Sequence, residues 1–169
     1  MTHSKVPTAE QPLAGVKILE LSTMVTCSLA SMTLVAQGAE VIKIEPPLGG
    51  DVMRHLGHQK NGISALFHNC NRGKRSLAID LKSSAGVDAV TQLAMKADLV
   101  MHNYRPGVMD RMGLGSTSLR GINNRLTYIA SLDSVIKDRC QEIQPMIMLF
   151  KQCQVSLIFK EMKKATSVL

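Results

Sequence analysis

Short apolar segments alternate with amphipathic segments between residues 16 and 130. Segments rich in β-branched residues, or alternating apolar and polar residues, predict five strands at residues 16–21, 40–45, 76–81, 99–101 and 126–130. The segments between these strands include several with helical patterns, and short helices between strands favour right-handed parallel crossovers. The alternation therefore predicts an α/β fold with a mostly parallel sheet.

Two of the predicted helices have a defined apolar face. In the helix after the first strand, the residues on one face are Leu29, Met32, Thr33 and Ala36. Gly38 follows where the end of a helix favours a left-handed residue. A second helix begins at Ser83 or Ser84, either of which can cap it. Its core stripe consists of Val87, Val90, Ala94 and Ala97. Residues 108–112 and 118–126 predict shorter helical turns, whereas the residues between Asp51 and Ser64 have no pattern that assigns an element.

The strand–helix alternation stops after residue 130. Residues 131–169 contain two apolar runs, at 146–150 and 155–159, without a strong turn signal between them. We expect this tail to be irregular or helical. We expect residues 1–10 to be a flexible N-terminus, so the α/β unit covers residues 11–130.

Composition limits the classes of partner. The 169 residues are enough for one domain, and 45% hydrophobic residues can fill its core. The net charge of +7 suits an acidic partner, but aromatic residues make up only 3% and tryptophan is missing, which leaves little to stack on bases. We therefore expect a polyanionic small molecule and no nucleic acid. With no apolar run near the roughly 20 residues of a bilayer span, and no export signal evident, we expect no membrane association and a cytoplasmic location.

The cysteines and histidines do not predict a metal centre. Four cysteines are scattered without a CxxC motif, so buried thiols are favoured over disulfides or zinc ligands. His55 and His58 stand three residues apart, and His68 lies near Cys70, but no carboxylate cluster completes a site. We expect these residues to be structural and no metal to be bound.

Two basic segments are candidates for binding chemistry. Residues 72–75 precede a predicted strand, and residues 102–105 follow one. The cations at or near predicted strand ends are Lys74, Arg75, Lys82, Arg105 and Arg111. Arginine offers a planar fork for phosphate and lysine a point charge, although solvated loop residues explain the same pattern equally well. There is no GxGxxG or Walker A motif.

A polar cluster follows the first predicted strand and consists of Ser22, Thr23, Thr26 and Cys27. Ligand contacts in Rossmann-like sheets lie at this position, but a helix cap explains the cluster as well. The residues alone thus predict an α/β domain for a polyphosphorylated ligand.

Five segments together resemble one known family. QPLAGVKILELS, TLVAQGAEVIKIEPPLGGD and NCNRGKRSLAIDLKSSAG are similar to PLxGxxVLDLT, LADLGAEVIKVERPxGGD and VNRNKRSIALDLKxPxG. ADLVMHNYRPGVMDRMGLG and INNRLTYIAS are similar to NFRPG…GLG and INPRLIYxSI. These motifs, in this order, are those of the family III CoA-transferases (CaiB/BaiF type). The resemblance covers approximately residues 11–130.

The resemblance implies a fold, a reaction and a set of contacts. It implies a truncated Rossmann-like domain with helices on both faces of the sheet, and a homodimer for the full-length family member. It also implies transfer of coenzyme A from an acyl-CoA to a small carboxylate, with no metal; α-methylacyl-CoA racemases share the fold. The residues that match CoA-contacting positions of the family are Ile79, Asp80, Leu81, Lys82, Asn103, Tyr104, Arg105 and Arg111.

Two departures from the family pattern bear on CoA binding. Cys27-Ser28 stands where the family usually has Gly-Pro, and Pro46 stands where an arginine often follows the IKIE motif. Loss of that arginine removes one phosphate contact, so we expect weaker binding of CoA.

The catalytic aspartate that the resemblance implies has no counterpart here. It should follow a block like GxGQxGPxxxxxxYDxxxQAxSGL, which residues 131–169 lack, so neither Asp133 nor Asp138 is assigned the role. Ordinary codons chosen for this tail permit that block two bases later, which leads to the hypothesis of a frame shift near Ser131–Leu132. We expect an N-terminal fragment of an acyl-CoA:carboxylate CoA-transferase that is inactive as written. The alternatives are a non-catalytic CoA-binding or dimer-partner module, and a fragment of an α-methylacyl-CoA racemase.

Overall fold

A five-stranded parallel sheet forms the centre of the structure, a computed structural model that describes residues 11–131. In chain order the strands are β1 (Lys17–Leu21), β2 (Glu40–Glu45), β3 (Gln59–Lys60), β4 (Ile63–Ser64), β5 (Arg75–Ala78), β6 (Leu99–His102) and β7 (Thr127–Ala130). The helices are α1 (Val25–Val35), α2 (Ala65–Asn71), α3 (Ser84–Ala94), α4 (Val108–Arg111) and α5 (Ser116–Ile122), with a 3₁₀ helix at Val52–His55. The sheet has the order β5-β2-β1-β6-β7 with every neighbouring pair parallel, while β3 and β4 form a separate antiparallel hairpin.

The predicted strands and fold class are confirmed. The prediction for β2 matches its observed bounds, and the other four strands differ by a few residues at their ends. The predictions for residues 1–10 and for the tail beyond Ser131 concern positions outside the described residues. Within residues 11–131, no helix has the length and apolar character needed to cross a bilayer.

The segment between β2 and β5 contains elements that the sequence pattern did not predict. The 3₁₀ helix, the β3–β4 hairpin and α2 pack against one another. The hairpin reverses at Asn61-Gly62, where φ is 53° and 76°, a pair of residues that commonly forms a tight turn. Ser64 then caps α2 by accepting a hydrogen bond from the N–H of Phe67 at 3.3 Å. Asn-Gly was thus the available signal for this hairpin.

Helices cover both faces of the sheet, as the resemblance implied. On one face, Ile18, Val41 and Leu99 from β1, β2 and β6 pack against α1. On the other face, Leu19 and Val100 belong to a cluster that also contains residues of α3, α4 and α5. Successive residues of each strand therefore alternate between two apolar layers.

The prediction for α3 is confirmed. Val90, Ala94 and Ala97 are buried, Val87 packs against the same cluster, and the Ser83 hydroxyl accepts from the N–H of Gly86 at 3.1 Å.

The predicted core face of α1 is wrong. Its buried residues are Cys27, Ser28, Ala30, Ser31 and Leu34, whereas Ala36 is exposed and the other predicted positions are only half-buried. The physical reason is that α1 buries serine hydroxyls against charged side chains of the sheet. Gly38 does adopt the predicted left-handed conformation, with φ of 104°.

Candidate functional site

The loops that follow β1, β2, β5 and β6 share one edge of the sheet. The chain leaves β1 through α1 on one face and enters β6 from α3 on the other face. The crevice outside the carboxyl ends of β1 and β6 is therefore the topological switch point, where open α/β sheets bind ligands. We take this edge as the candidate site and call it the carboxyl edge.

Beneath the carboxyl edge lies a fully buried glutamate. The carboxylate of Glu20 accepts from Lys43 Nζ at 2.7 Å and from Lys74 Nζ at 2.8 Å. The hydroxyls of Ser28 and Ser31 donate to the same carboxylate at 3.1 and 2.5 Å. Glu20 and Lys43 face α1 from β1 and β2, so the layer that is apolar at the start of these strands becomes charged near their ends.

The charges continue into the loop after β2. Lys43 Nζ lies 3.0 Å from Asp51 Oδ2, an ion pair whose geometry falls short of a hydrogen bond. The N–H of Asp51 donates to Glu45 at 2.9 Å. Arg54 holds Glu45 with two hydrogen bonds, of 2.7 and 2.8 Å, and its guanidinium stacks on Phe67 at 3.9 Å. We call Lys74, Glu20, Lys43, Asp51, Glu45 and Arg54 the buried charge network.

Ion pairs and hydrogen bonds keep the carboxylates of Glu20 and Glu45 charged. Burial opposes ionisation of Glu20, but the ammonium groups of Lys43 and Lys74 outweigh it and lower the pKa of Glu20 from 4.5 to about 2. Burial also opposes ionisation of Glu45, where hydrogen bonds from Arg54 and Ser76 lower the pKa to about 2. Burial lowers the pKa of Lys43 less than Glu20 and Asp51 raise it, so its pKa lies above 10.5.

Two of the predicted cations do not lie at the carboxyl edge. The side chain of Lys74 is 2% exposed and donates to Glu20, to the carbonyl of Ser28 and to Asn71. Lys74 is therefore neither a phosphate ligand nor a solvated loop residue, and both interpretations are wrong for it. Arg75 begins β5 at the opposite edge of the sheet, where it pairs with Glu40 at 3.7 Å.

The segment after β6 brings three predicted residues to the switch point. Asn103 and Tyr104 are half-buried, and Arg105 is exposed. Arg111 is exposed on α4, and its guanidinium lies against Gly107, where an added Cβ would be 3.3 Å from Nη1. The structure thus places Arg105 and Arg111 around one short loop.

The segment after β5 lies further along the same edge. Ile79 and Leu81 are half-buried against the core, whereas Asp80 and Lys82 are exposed. Asp80 Oδ1 accepts from the N–H of Lys82 at 2.9 Å, which shapes the turn into α3. Since β2 and β1 separate β5 from β6, the two predicted segments stand about 14 Å apart, at about 4.8 Å per strand. Only a long ligand can contact both.

The side chain of Asn103 is occupied within the protein. Its Oδ1 accepts from the N–H of Thr23 at 3.0 Å, and its Nδ2 donates to the carbonyl of Thr23 at 2.6 Å. This pair of hydrogen bonds ties the loop after β6 to the turn between β1 and α1. The polar cluster after β1 is thus partly explained by internal contacts, because Thr23 binds Asn103 and the hydroxyl of Ser22 donates to Glu20.

The turn between β1 and α1 contains a strained residue. Met24 has φ of 63° and ψ of −159°, a region populated almost entirely by glycine. Such a conformation costs about 1–3 kcal/mol and persists only where surrounding contacts hold it. The N–H of Met24 donates to Asp51 Oδ1 at 3.2 Å. The sequence did not predict a role for Met24, since no residue pattern marks a strained methionine.

His102 is the last residue of β6. It is 5% exposed, its Nδ1 accepts from the N–H of Tyr104 at 3.2 Å, and its ring meets that of Tyr128 edge-on at 5.3 Å. Burial lowers the pKa of His102 more than Asp110 raises it, so the imidazole is neutral near pH 7. A neutral ring with Nδ1 as acceptor carries its proton on Nε2.

The sequence pattern also did not predict roles for Glu20, Lys43 and Asp51. A signal was nevertheless available in the sequence of β1 and β2. Each strand is largely buried, and each has a charged residue, Glu20 or Lys43, on the face that packs against α1. Charged side chains are rarely buried unless paired, so two of opposite sign in neighbouring strands indicate an ion pair. Among residues 11–131, no three His, Cys, Asp or Glu side chains are grouped as metal ligands.

Comparisons with known proteins place the chain. Residues 13–131 match the family model described as CoA-transferase family III. The chain is 36% identical over 130 residues to succinate–glutarate CoA-transferase of Agrobacterium fabrum, covering 73% of this chain and 32% of that protein. It is 38% identical over 119 residues to human succinyl-CoA:glutarate CoA-transferase, covering 70% and 27%.

A solved structure agrees with this result. The crystal structure of a CaiB/BaiF family protein from Brucella suis superimposes with a TM-score of 0.67 at 38% identity, covering 72% of this chain and 33% of that one. The chain thus spans about a third of the length of the relatives it matches. The order of the sheet, the sequence motifs and these matches agree: the chain belongs to CoA-transferase family III.

Proposed function

We propose that this chain is the N-terminal part of an acyl-CoA:carboxylate CoA-transferase and that its carboxyl edge binds the CoA moiety of an acyl-CoA. The match to the family over residues 13–131 carries this proposal. The relatives from Agrobacterium and human are named for CoA transfer involving succinate and glutarate. We assign this chain no acceptor beyond a small carboxylate.

The distribution of charge supports the choice of edge. The buried charge network contains three cations and three carboxylates, which largely neutralise one another. Lys82, Arg105 and Arg111 are exposed cations at this edge, with charge to offer a ligand. Phosphate groups of CoA would bind there through charge-assisted hydrogen bonds.

The shape of the edge suits a long, partly apolar ligand. Two segments about 14 Å apart offer different surfaces. Ile79 and Leu81 provide half-buried apolar side chains near the exposed Asp80 and Lys82. Backbone atoms of Asn103, together with Tyr104 and Arg105, would line the switch point. In this assignment the Asn103 side chain shapes the site, since its amide already binds Thr23.

The same proposal includes a lack of catalysis in the chain as written. The resemblance implies an attacking aspartate further along than residue 130. We therefore propose that the 169-residue chain binds CoA without transferring it, as a binding or dimer-partner module. A homodimer of the full-length protein and a cytoplasmic location remain predictions. Light scattering can test the first, and the location of a fluorescent fusion protein can test the second.

Calorimetric titration with CoA tests the binding proposal. Arg105→Ala removes a cation from the carboxyl edge. Arg125→Ala removes another exposed arginine, which precedes β7 at the opposite end of the strands. A hydrogen bond to a charged group contributes about 1.5–3 kcal/mol, so we expect R105A to weaken CoA binding by about 10–150-fold and R125A to leave it unchanged. Equal effects of the two variants, or no binding by the unmodified chain, contradict the proposal.

Chromatography of mixtures containing succinyl-CoA and glutarate tests the lack of transfer. We expect no glutaryl-CoA from this chain. Formation of glutaryl-CoA at a rate proportional to protein concentration would show that the chain carries its own nucleophile.

A further inference from the structure

The turn between β1 and α1 is held from two sides by loops that follow other strands. Asn103, after β6, binds both the N–H and the carbonyl of Thr23. Asp51, after β2, accepts from the N–H of the next residue, Met24, at 3.2 Å. The loops that follow three neighbouring strands of the sheet, β2, β1 and β6, therefore meet at Thr23 and Met24.

Met24 is the point at which these contacts matter most. Met24 is 42% exposed, so packing of its side chain is a weak constraint on its backbone at φ of 63°. α1 begins at the next residue, and no side chain caps it. The position of the first turn of α1 therefore depends on the contacts made by the backbone just before it.

Asp51 is well placed to impose this backbone conformation. Its side chain is buried, Oδ1 binds the N–H groups of Met24 and Met53, and Oδ2 pairs with Lys43 at 3.0 Å. Its own N–H is fixed by Glu45 at 2.9 Å. Since Met53, Lys43 and Glu45 also hold Asp51, its Oδ1 has little freedom to follow Met24 if the turn relaxes.

We propose that Asp51 is a positioning residue that acts through Met24: it holds the β1–α1 turn in the strained shape that lines the ligand crevice between β1 and β6. Asn103 is its counterpart on the β6 side of the turn. This inference deepens the proposed function and rests on it for the identity of the ligand, CoA. It assigns Asp51 a role in binding without any contact between Asp51 and the ligand.

A double-variant cycle separates positioning from a general loss of structure. Asp51→Ala removes the acceptor of the Met24 N–H, and Met24→Gly allows the same backbone conformation without that acceptor. Asn61→Gly is the matched control, because Asn61 is the other described non-glycine residue with positive φ and lies in the β3–β4 turn. All variants are made in the 169-residue chain.

Two measurements are made on each variant: the Kd for CoA by calorimetry, and hydrogen–deuterium exchange of the peptide that covers residues 21–29. We expect D51A to raise the Kd by at least about tenfold and to increase exchange in that peptide. We expect M24G/D51A to restore both quantities to within about threefold of the unmodified protein, and N61G/D51A to restore neither.

Three outcomes overturn the inference. In the first, D51A leaves the exchange of residues 21–29 unchanged. In the second, M24G/D51A does not restore the exchange to that of the unmodified protein, and in the third, N61G/D51A restores it equally well. If the unmodified chain does not bind CoA, the proposed function fails, and the exchange measurements alone decide whether Asp51 positions the turn. If D51A does not fold, the Asn103→Ala and M24G/N103A pair applies the same cycle to the other side of the turn.

Discussion

Replacing Glu20 with glutamine tests the buried charge network most directly. The carboxylate of Glu20 is fully buried and pairs with both Lys43 and Lys74. Glutamine keeps the shape of the side chain but removes its charge, which leaves two buried ammonium groups near each other. Lys43 then keeps Asp51 as a carboxylate partner, whereas Lys74 keeps its hydrogen bonds to the carbonyl of Ser28 and to Asn71. Removing one partner of a buried ion pair is strongly destabilising, because an uncompensated charge stays buried.

The size of this effect follows from two arguments that agree. Lowering the pKa of Glu20 from 4.5 to about 2 corresponds to about 3 kcal/mol of preference for the charged form in the folded protein. Breaking a buried ion pair typically costs about 3–5 kcal/mol. We therefore expect E20Q to lose about 3–5 kcal/mol of the free energy of unfolding, a large share of the roughly 5–15 kcal/mol of an ordinary domain.

Urea denaturation at pH 7, followed by circular dichroism because the chain has no tryptophan, provides the measurement. Glu40→Gln is the control, since Glu40 is an exposed glutamate whose pair with Arg75 spans 3.7 Å. That variant should lose less than about 1 kcal/mol. If E20Q and E40Q have the same midpoint of urea unfolding and the same dependence of the free energy on urea, the charge of Glu20 does not stabilise the fold by about 3–5 kcal/mol.

Three further predictions concern pH, a thiol and the tail. Because the folded pKa of both Glu20 and Glu45 is lowered to about 2, the stability they contribute is complete above pH 4.5 and is lost as pH falls from 4.5 to about 2; denaturation at a series of pH values checks this, and E20Q should show a shallower decline. Burial, with a smaller effect of Glu20, raises the pKa of Cys27 to about 12, so Cys27 should resist maleimide in the folded chain and react in urea, as peptide mass spectrometry can show. If residues 131–169 arise from a shifted frame, genomic DNA across codons 125–169 should encode the YD…QAxSGL block in another frame, and absence of that block rejects the hypothesis.

Much of the fold follows from local patterns in the sequence. The strand at Glu40–Glu45 is β-branched and ends at two prolines, so its bounds are fixed by neighbouring residues. The stripe of α3 is predictable for a similar reason, since Val90 and Ala94 face an entirely apolar layer. Where a helix packs on apolar residues alone, hydrophobic spacing identifies its buried face.

The buried face of α1 could not be predicted in this way. Its buried face includes Ser28 and Ser31, whose partners Glu20, Lys43 and Lys74 are separated from one another by as many as 54 positions along the chain. The spacing of hydrophobic residues cannot identify a helix face whose polar side chains are buried by hydrogen bonds to distant charged residues. Likewise, Lys74 has the sequence context of a surface cation, and only the assembled sheet shows that it points inward.

The buried charges of β1 and β2 also bear on how these strands find their alignment. Ile18 is level with Val41, and Glu20 with Lys43. A shift of two residues would keep every apolar side chain on its own side of the sheet, so hydrophobic burial hardly distinguishes the shifted pairing from the native one. The shift would, however, place Lys43 beside Ile18 or Glu20 beside Val41. A charged side chain would then be buried among apolar residues without its partner. The ion pair between Glu20 and Lys43 thus favours one alignment of β1 and β2 over shifted alignments that bury nearly the same apolar surface.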